Sequence, residues 1–160
     1  MRIRRLRRGD DSHDLISLSR AFFAEYEEHH EAFFQIDTLT DEAILDYFAL
    51  FLENEARAAF IALLEERMVG YVTLVMQTRP DYWRVQRVGH VSGLMVDAAH
   101  RRQGIGTRLM EEAQAYFREH GLRYYTLYTS IKNSAALAFY ERQGMEPLYS
   151  HLLGDLEWGE

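Results

Sequence analysis

Apolar residues at helical spacing predict two helices in the first third of the chain. The first pattern repeats about once per turn, at Leu15, Leu18, Phe22 and Tyr26. Residues 9–11 end the strand before it and offer an N-cap. The second pattern begins at a capping signal over residues 38–41 and runs to about Asn54. Each pattern gives one apolar face, so both helices are expected to pack against a core.

Runs of apolar and β-branched residues predict the strands. They occupy residues 2–7, 58–64, 69–77, 91–96 and 123–129, and residues 145–156 give one or two more. Further helices are expected at residues 105–120 and from Asn133 or Ser134 to Gly144. The predicted order is β-α-α-β-β-β-α-β-α-β, in which the strand–helix–strand unit around residues 90–145 gives a parallel crossover within a mixed sheet.

Residues 90–106 carry the strongest chemical signal. A buried strand ends at Val96, a turn contains Gly104 and Gly106, and a helical apolar period starts at Ile105. The N-terminal end of a helix has unpaired N–H groups and favours an anion, most often phosphate. Glycines without a Cβ let a diphosphate approach the backbone. The dinucleotide fingerprint G-x-G-x-x-G is not met, because Leu109 stands at its third glycine, and no Walker lysine is present.

Composition and charge narrow the class of protein. At 160 residues, with 48% hydrophobic and 27% charged residues, the chain is expected to form one domain over residues 1–160. It contains no cysteine, which excludes disulfides and thiolate metal sites. The N-terminus lacks an apolar signal segment and no run reaches transmembrane length, so we expect a cytoplasmic protein without a membrane partner. A net charge of −7 disfavours nucleic acid and weakly favours a cationic substrate.

Two motifs in the second half of the chain resemble one known family. Arg101-x-x-Gly104-x-Gly106 is similar to the coenzyme A pyrophosphate loop of the GCN5-related N-acetyltransferase (GNAT) family, written Q/R-x-x-G-x-G/A. The segment from Asn133 to Gly144, which contains Tyr140, resembles the family's N-x-x-A-x-x-F-Y-x-x-x-G-F. The chain departs from the family pattern with Ala98 for a frequent proline, Arg102 for a frequent glycine and Met145 for a frequent phenylalanine.

The resemblance implies a fold and a co-substrate. The fold is a single GNAT-like α/β (α+β) domain, with a mixed central sheet of about six to seven strands flanked by about four helices. The co-substrate is acetyl-CoA, with no metal. Its pyrophosphate would be held by the backbone N–H groups of six residues, which are Arg102, Gln103, Gly104, Ile105, Gly106 and Thr107. Many family members are dimers, so a homodimer is also considered.

Other residues would hold the rest of the coenzyme. The resemblance implies that main-chain groups of Met95 and Val96 pair with the pantetheine arm as if it were an added strand. Asn133 would contact the arm or its bound water. The side chains of Arg101 and Gln103 would add polar or charged contacts to phosphate. Arg102 is tolerated in the loop if its φ is negative, because only its N–H is needed.

The chemistry of acetyl transfer suggests two catalytic residues. A primary amine with a pKa of about 10 must lose a proton before it attacks the thioester carbonyl. Tyr140 matches the family tyrosine near the coenzyme sulfur and is the predicted acid. Without the motif, it would be interpreted as a tyrosine of the core. His90 is the predicted base, because it lies eleven residues before Arg101, where some family members carry a glutamate. Its side chain is expected on the same face of the strand as Ser92 and Leu94. A structural strand histidine is the alternative for His90. Backbone N–H groups near Met95 would stabilise the tetrahedral oxyanion.

The acceptor is expected to be a small-molecule or peptide amine. Glu25 and Glu28 lie in an acidic stretch of the first helix and are second-choice bases or amine-binding residues, although a solvated face is the simpler interpretation. Tyr82 and Trp83 lie on a predicted loop and either contact substrate or anchor that loop. His29 and His30 point about 100° apart on a helix and are expected at the surface or its boundary.

Two other function classes remain open at this stage. A non-catalytic acyl-CoA-binding module, such as a sensor or subunit, would keep the loop at residues 101–106 but tolerate loss of Tyr140. A nucleotide-binding protein could use the same helix N-terminus, but the Walker lysine is missing. The preferred interpretation is an acetyl-CoA-dependent N-acetyltransferase.

Overall fold

The computed structural model describes residues 1–157, which form an α/β domain with ten elements of regular structure. The strands are β1 (Arg2–Arg5), β2 (Arg57–Leu64), β3 (Arg67–Thr78), β4 (Arg87–Val96) and β5 (Tyr125–Leu127). The α-helices are α1 (Ser12–Glu27), α2 (Asp41–Glu53), α3 (Ile105–Glu119) and α4 (Ser134–Arg142), and a 3-10 turn spans Ala98–His100. None of the helices in residues 1–157 combines the length and apolar character needed to cross a membrane.

The sheet has the strand order β1-β2-β3-β4-β5 and carries a core on each face. The first four strands are antiparallel, and β5 runs parallel to β4 after the crossover through α3. Helix α3 packs on one face through Leu109, Met110 and Ala113, which are fully buried. Helices α1 and α2 cover the other face. The predicted fold class and the parallel crossover are confirmed.

Three of the helices begin where polar capping residues stand in the sequence. The side chains of Asp11, Thr40 and Asn133 each accept a backbone N–H from the first turn of the helix that follows. Such a bond satisfies an N–H group that has no partner within the helix, which fixes the point where the helix starts.

The predicted strands in residues 145–156 are not present, so the sheet among the described residues has five strands rather than six or seven. The apolar side chains of this segment stay exposed, with 76% of Leu148, 86% of Leu152 and all of Leu156 accessible. An apolar pattern gives a strand only where a neighbouring strand supplies ladder hydrogen bonds. The segment finds no such neighbour among the described residues, and a sequence pattern cannot reveal that.

A β-bulge in β4 changes which side chains share a face. Thr73 of β3 lies opposite Gly93, whereas the next residue of β3 lies opposite Val91, so Ser92 is an extra residue in β4. Alternation is therefore interrupted at this position. Leu94 packs with Val91 on the α3 side of the sheet, and His90 lies on the opposite side. The prediction that His90 and Leu94 share a face is wrong, because it assumed an uninterrupted period of two.

Candidate active site

A cleft opens where β4 and β5 separate. Their parallel ladder runs from Gly89 opposite Tyr125 to Val91 opposite Leu127 and then stops. Strand β4 continues to Val96, still paired with β3 on its other side. The remainder of β4, residues 92–96, therefore borders the cleft with an edge that no described strand occupies.

The register with β3 decides which backbone groups of β4 point into the cleft. Val96 lies opposite Gly70, and the N–H of Asp97 donates to the carbonyl oxygen of Val69 at 2.8 Å. In an antiparallel ladder this makes Gly70 and Val96 a pair without mutual hydrogen bonds, so the N–H and C=O of Val96 point away from β3. By alternation the same holds for Leu94, whereas Met95 directs its backbone to β3. The geometry thus favours Leu94 over Met95 as the residue beside Val96 that could pair with an extended ligand.

The N-terminus of α3 lies at the end of β4 and exposes backbone donors. The first helical bond runs from the N–H of Arg108 to the carbonyl of Gly104 at 3.1 Å, so the N–H groups just before Arg108 have no partner within the helix. Gly104 has a φ of 80° and Arg102 a φ of 61°. The condition under which Arg102 was expected to cost little, a negative φ, is therefore not met. Its left-handed backbone costs on the order of 1 kcal/mol, which explains why a glycine suits this position.

Gly106 has a different role from the one its sequence context suggested. A Cβ at this position would lie 3.4 Å from the ring of Phe139 and 3.8 Å from the side chain of Val96. It would therefore point into the protein, not towards a phosphate. The small residue lets α3 pack closely against α4 and β4, while its backbone N–H remains in the first turn of α3.

Arg101 links α1 to the end of β4. Its Nε donates to the carbonyl oxygen of Val96 at 3.0 Å, and its Nη2 pairs with the carboxylate of Glu25. The guanidinium is thus already neutralised by a carboxylate and held along the cleft wall. Gln103 is exposed beside the turn. Of the two predicted phosphate-binding side chains, Gln103 is free to reach outward and Arg101 would first have to leave Glu25.

A cavity of about 90 Å³ lies within the cleft, between α1, β4, the end of β5 and α4. Its lining residues are Phe22, Glu25, Tyr26, His29, Val91, Ser92, Gly93, Leu94, Leu127, Tyr128, Thr129, Asn133, Ala136 and Tyr140. The structure therefore brings together the predicted residues Tyr140, Asn133 and Glu25 around one space. The side-chain oxygen of Asn133 accepts the N–H of Ala136 as the α4 cap, which leaves its amide NH₂ available to the cavity.

Tyr140 remains a neutral phenol over the whole physiological range. Burial, with a smaller contribution from Tyr26, raises the pKa of Tyr140 to about 12. Burial also raises the pKa of Tyr26 above its usual value. A half-buried neutral phenol is a hydrogen-bond donor, and the cavity gives it space to face a reacting group.

His90 lies next to the cavity but does not line it. Its Nδ1 is 3.0 Å from the hydroxyl oxygen of Thr126, and its ring lies 5.1 Å from that of Tyr128. Burial lowers the pKa of His90 below its usual value. The ring is thus buried beside Tyr128 with one nitrogen already hydrogen-bonded, which is the environment of a structural histidine.

The remaining acceptor candidates lie away from the cavity. Glu28 is exposed, and neither it, Tyr82 nor Trp83 lines the cavity. Tyr82 is 81% exposed, and Trp83 stacks under the guanidinium of Arg79 at 4.5 Å. The aromatic pair therefore belongs to a self-contained loop between β3 and β4, which favours the anchoring interpretation for Trp83.

His29 is a cavity residue that the sequence did not indicate. It is half-buried, at the boundary position expected, and its Nδ1 is buried without a hydrogen-bond partner among residues 1–157. Ser92 and Tyr128 also line the cavity without a sequence signal. These side chains meet through the loop after α1, the bulge of β4 and the end of β5, and no sequence spacing encodes that meeting.

Within the described residues, no group of three or more His, Asp or Glu side chains could hold a metal ion.

Comparison with known sequences gives a family match over most of the chain. The family model described as "Acetyltransferase (GNAT) family" matches residues 17–145. The chain is 32% identical to N-alpha-acetyltransferase 30 of Xenopus laevis over 94 residues, which are 59% of this chain and 33% of that protein. It therefore spans about a third of the length of this relative. An uncharacterized N-acetyltransferase of Methanocaldococcus jannaschii is 27% identical over 100 residues, 62% of this chain and 44% of that protein.

Solved structures share the fold across nearly the whole chain. A single-site mutant of the BH1408 protein from Bacillus halodurans superposes with a TM-score of 0.86 at 22% identity, covering 98% of this chain and 99% of that one. The aminoglycoside N-acetyltransferase AAC(6')-Iy, solved in complex with CoA, superposes with a TM-score of 0.76 at 18% identity, covering 98% and 94%. At these identities the likeness establishes the architecture of the chain.

Proposed function

Because the chain belongs to the GNAT acetyltransferase family, we propose that it is an acetyl-CoA-dependent N-acetyltransferase that acts on a primary amine. The observation that carries the proposal is the position of Tyr140. This half-buried tyrosine lines the same cavity that the free edge of β4 borders, beside the N-terminus of α3. We also propose that residues 1–160 form one such domain. The curated relative and the CoA-bound neighbour are both named as N-acetyltransferases, which supports the same chemistry.

Binding of acetyl-CoA follows from the free backbone groups of the cleft. The N–H groups from Arg102 to Thr107 would hold the pyrophosphate at the positive end of α3. The pantetheine arm would lie along the free edge of β4 and pair with the carbonyl of Leu94 and the N–H of Val96, as an extra strand does. Its amide groups donate and accept hydrogen bonds as peptide groups do, so the cleft offers them an added strand position. Asn133 would reach the arm with its free amide.

The acetyl group would then lie in the cavity, near Leu94 and Tyr140. Attack of the neutral amine on the thioester carbonyl forms a C–N bond and a tetrahedral oxyanion. The N–H of Leu94 points into the cleft and is the donor best placed to stabilise that oxyanion. As the C–S bond breaks, the electron pair goes to sulfur, and the Tyr140 phenol donates a hydrogen bond to the leaving thiolate. A thiol pKa near 8.5 makes this thiolate a good leaving group, so a donor with a high pKa is sufficient.

A thermal-shift experiment tests the co-substrate. Acetyl-CoA and CoA at about 100 times their Kd should each stabilise the protein by ~2.7 kcal/mol, whereas ATP and NAD at equal concentration should not. A protein that responds equally to ATP would be a general nucleotide binder, and no response to millimolar acetyl-CoA would contradict the proposal.

A second experiment separates an enzyme from a non-catalytic acyl-CoA-binding module. Release of CoA thiol is followed with amine panels that include peptides with free N-termini and aminoglycosides, the acceptors indicated by the names of the relatives. The Tyr140→Phe variant should keep CoA binding and lose about 10²-fold in kcat. Unchanged turnover in Tyr140→Phe would assign the tyrosine to the core. A homodimer stays a prediction, which light scattering with and without acetyl-CoA would test.

A further inference from the structure

We propose that His29, not His90, accepts the proton from the acceptor amine. This inference rests on the proposed N-acetyltransferase activity and names the base for it. The sequence predicted His90 for this task because of its place at the start of β4. The structure puts a different imidazole at the wall of the cavity, together with Tyr140 and the peptide of Leu94.

His29 is held in place by its aromatic neighbours. It follows the C-terminal end of α1, where its backbone N–H donates to the carbonyl of Tyr26 at 3.0 Å. Its ring lies 5.4 Å from the ring of Tyr26 and 6.5 Å from that of Phe34. These contacts orient the imidazole without using its nitrogens. The imidazole is therefore oriented while neither of its nitrogens is committed to a hydrogen bond among residues 1–157.

The Nδ1 atom of His29 lacks the partner that a buried polar atom normally has. It is shielded from solvent, and no hydrogen-bonding group among residues 1–157 reaches it. Leaving such an atom unpaired is unfavourable, so buried imidazole nitrogens are nearly always satisfied by protein, water or ligand. A rotation of the ring would open this atom to the adjacent cavity, where an entering amine would supply the missing partner.

The neighbouring histidine shows what a structural imidazole looks like in the same loop. Nδ1 of His30 accepts the backbone N–H groups of Ala32 at 3.0 Å and Phe33 at 2.9 Å. Its lone pair is therefore used to shape the turn after α1. The two adjacent residues are of the same type, but among residues 1–157 the Nδ1 of His29 has no partner whereas that of His30 has two, and of the two only His29 lines the cavity.

His90 is less suited to the task for geometric reasons. Its Nδ1 is engaged by Thr126 at 3.0 Å, and its ring lies 5.1 Å from that of Tyr128. Tyr128 lines the cavity and His90 does not, so an amine in the cavity would contact Tyr128 and not His90. A base must come within hydrogen-bond reach of the proton it removes, directly or through one water.

The other titratable groups around the cavity do not compete for the proton. From α1, Glu25 faces the cavity but is paired with the guanidinium of Arg101, and Tyr26 is a phenol. From the end of β5 and from α4, Tyr128 and Tyr140 are also phenols. Among these groups, histidine is the side-chain type that changes charge near neutral pH.

The proton balance closes with these groups. One proton moves from the ammonium of the acceptor to Nδ1 of His29 and later leaves to solvent. The neutral amine forms the C–N bond, and the C–S bond breaks with its electron pair going to sulfur. The second proton of the amine nitrogen passes to the thiolate, with Tyr140 as donor or relay. The sum is an ammonium plus acetyl-CoA giving an amide, CoA thiol and one released proton.

The test compares His29→Asn with the matched variant His30→Asn. Asparagine places an amide near the position of Nδ1, so it can still make a hydrogen bond but cannot take a proton. With acetyl-CoA and the best amine of the panel, kcat/KM of His29→Asn at pH 7 should fall about 10²-fold. His30→Asn keeps an acceptor for the loop and should stay within about threefold of wild type, the scatter typical of surface changes.

The pH profile separates a base from a merely positioning residue. Wild-type kcat/KM should rise with pH through the range in which imidazole loses its proton and then level off. In His29→Asn it should keep rising about tenfold per pH unit with the free-amine fraction, so the two enzymes converge at high pH. A uniform loss at every pH, or a loss under threefold, would overturn the assignment. If His29→Asn is destabilised on heating, His29→Gln provides the second variant for the same profile.

Binding of CoA makes the two proposals separable. Both variants should bind CoA as wild type does in a calorimetric titration, because His29 does not contact the phosphate loop. A wild-type protein that binds acetyl-CoA but acetylates no amine would remove the proposed function, and the role of His29 with it. An active wild type with a fully active His29→Asn would remove only the inference about His29.

Discussion

The hydroxyl oxygen of Ser92 lies 2.8 Å from that of Thr73, across the bulge that divides β4. Thr73 is completely buried, and its hydroxyl also lies 3.3 Å from that of Tyr47 on α2. The extra residue at Ser92 lets β4 pair with β3 along its length while the strand bends away from β5. The Ser92–Thr73 contact therefore supports the geometry that opens the cleft.

Replacing Thr73 by valine should weaken this bulge. Thr73→Val keeps the shape of the side chain but removes the buried hydroxyl that joins β3, β4 and α2, at an expected cost of about 1 kcal/mol in the free energy of unfolding. Urea denaturation measures that loss. Tyr47→Phe is the control, because its partly exposed hydroxyl is readily replaced by water and should cost less. Equal stabilities for wild type and Thr73→Val would mean that the contact does not support the bulge.

The two residues with left-handed backbone before α3, Arg102 and Gly104, should differ in how much their substitution changes the free energy of unfolding. Arg102→Gly relieves a strained backbone at a φ of 61° but adds freedom to the unfolded chain, so stability should change by less than about 0.5 kcal/mol. Gly104→Ala introduces strain at a φ of 80° and should cost about 1 kcal/mol or more.

Coenzyme binding by the Arg102→Gly variant tests whether the backbone N–H of residue 102, and not its side chain, holds the pyrophosphate. Its N–H is retained, so the Kd for CoA should rise only a few-fold, as expected for the loss of one exposed cation near a phosphate. Titration calorimetry measures both variants. A loss of binding in Arg102→Gly would show that the side chain, not the N–H, holds the pyrophosphate.

The buried tyrosines should make the protein sensitive to alkali. Burial raises the pKa of Tyr140 to about 12 and that of Tyr71 further still. A raised pKa in the folded state means that the stabilisation is complete below the unfolded pKa of about 10 and is lost as pH rises above it. The free energy of unfolding should therefore fall by roughly 1 kcal/mol per pH unit for each such group.

Denaturation series between pH 9 and pH 11 would measure this slope. Tyr140→Phe should flatten it, while Tyr82→Phe, at a tyrosine that is 81% exposed, should leave it unchanged. The same slope in both variants would mean that Tyr140 can ionise without unfolding.

The buried His90 should make the protein sensitive to acid. Burial lowers its pKa in the folded state, so the unfolded chain binds the proton more readily. Stability from this group is complete above the unfolded pKa of about 6.5 and is lost progressively as pH falls below it. Replacing His90 by asparagine should reduce the loss of stability between pH 7 and pH 5, measured by urea denaturation. The exposed His151→Asn is the control, and an equal effect in both variants would contradict this origin of acid sensitivity.

The sequence determined the order of elements as far as α4 and the position of the glycine-containing turn before α3. Capping side chains such as Asp11 and Thr40 stand next to the helices they start, and the apolar period from Ile105 marks α3 directly. These features depend on residues close together in the chain, so local patterns reveal them. The same holds for the relation of Arg101 and Gly104 to the N-terminus of α3.

Only the tertiary structure decided the cavity wall and the edges of the sheet. The bulge at Ser92 reversed the face of Leu94, because it depends on the pairing of β4 with β3. His29 meets Tyr140 through the packing of the loop after α1 over the cleft. Residues 145–156 have an apolar pattern but no partner strand among the described residues. In each case the outcome depends on contacts between residues far apart in the chain, which a local pattern does not contain.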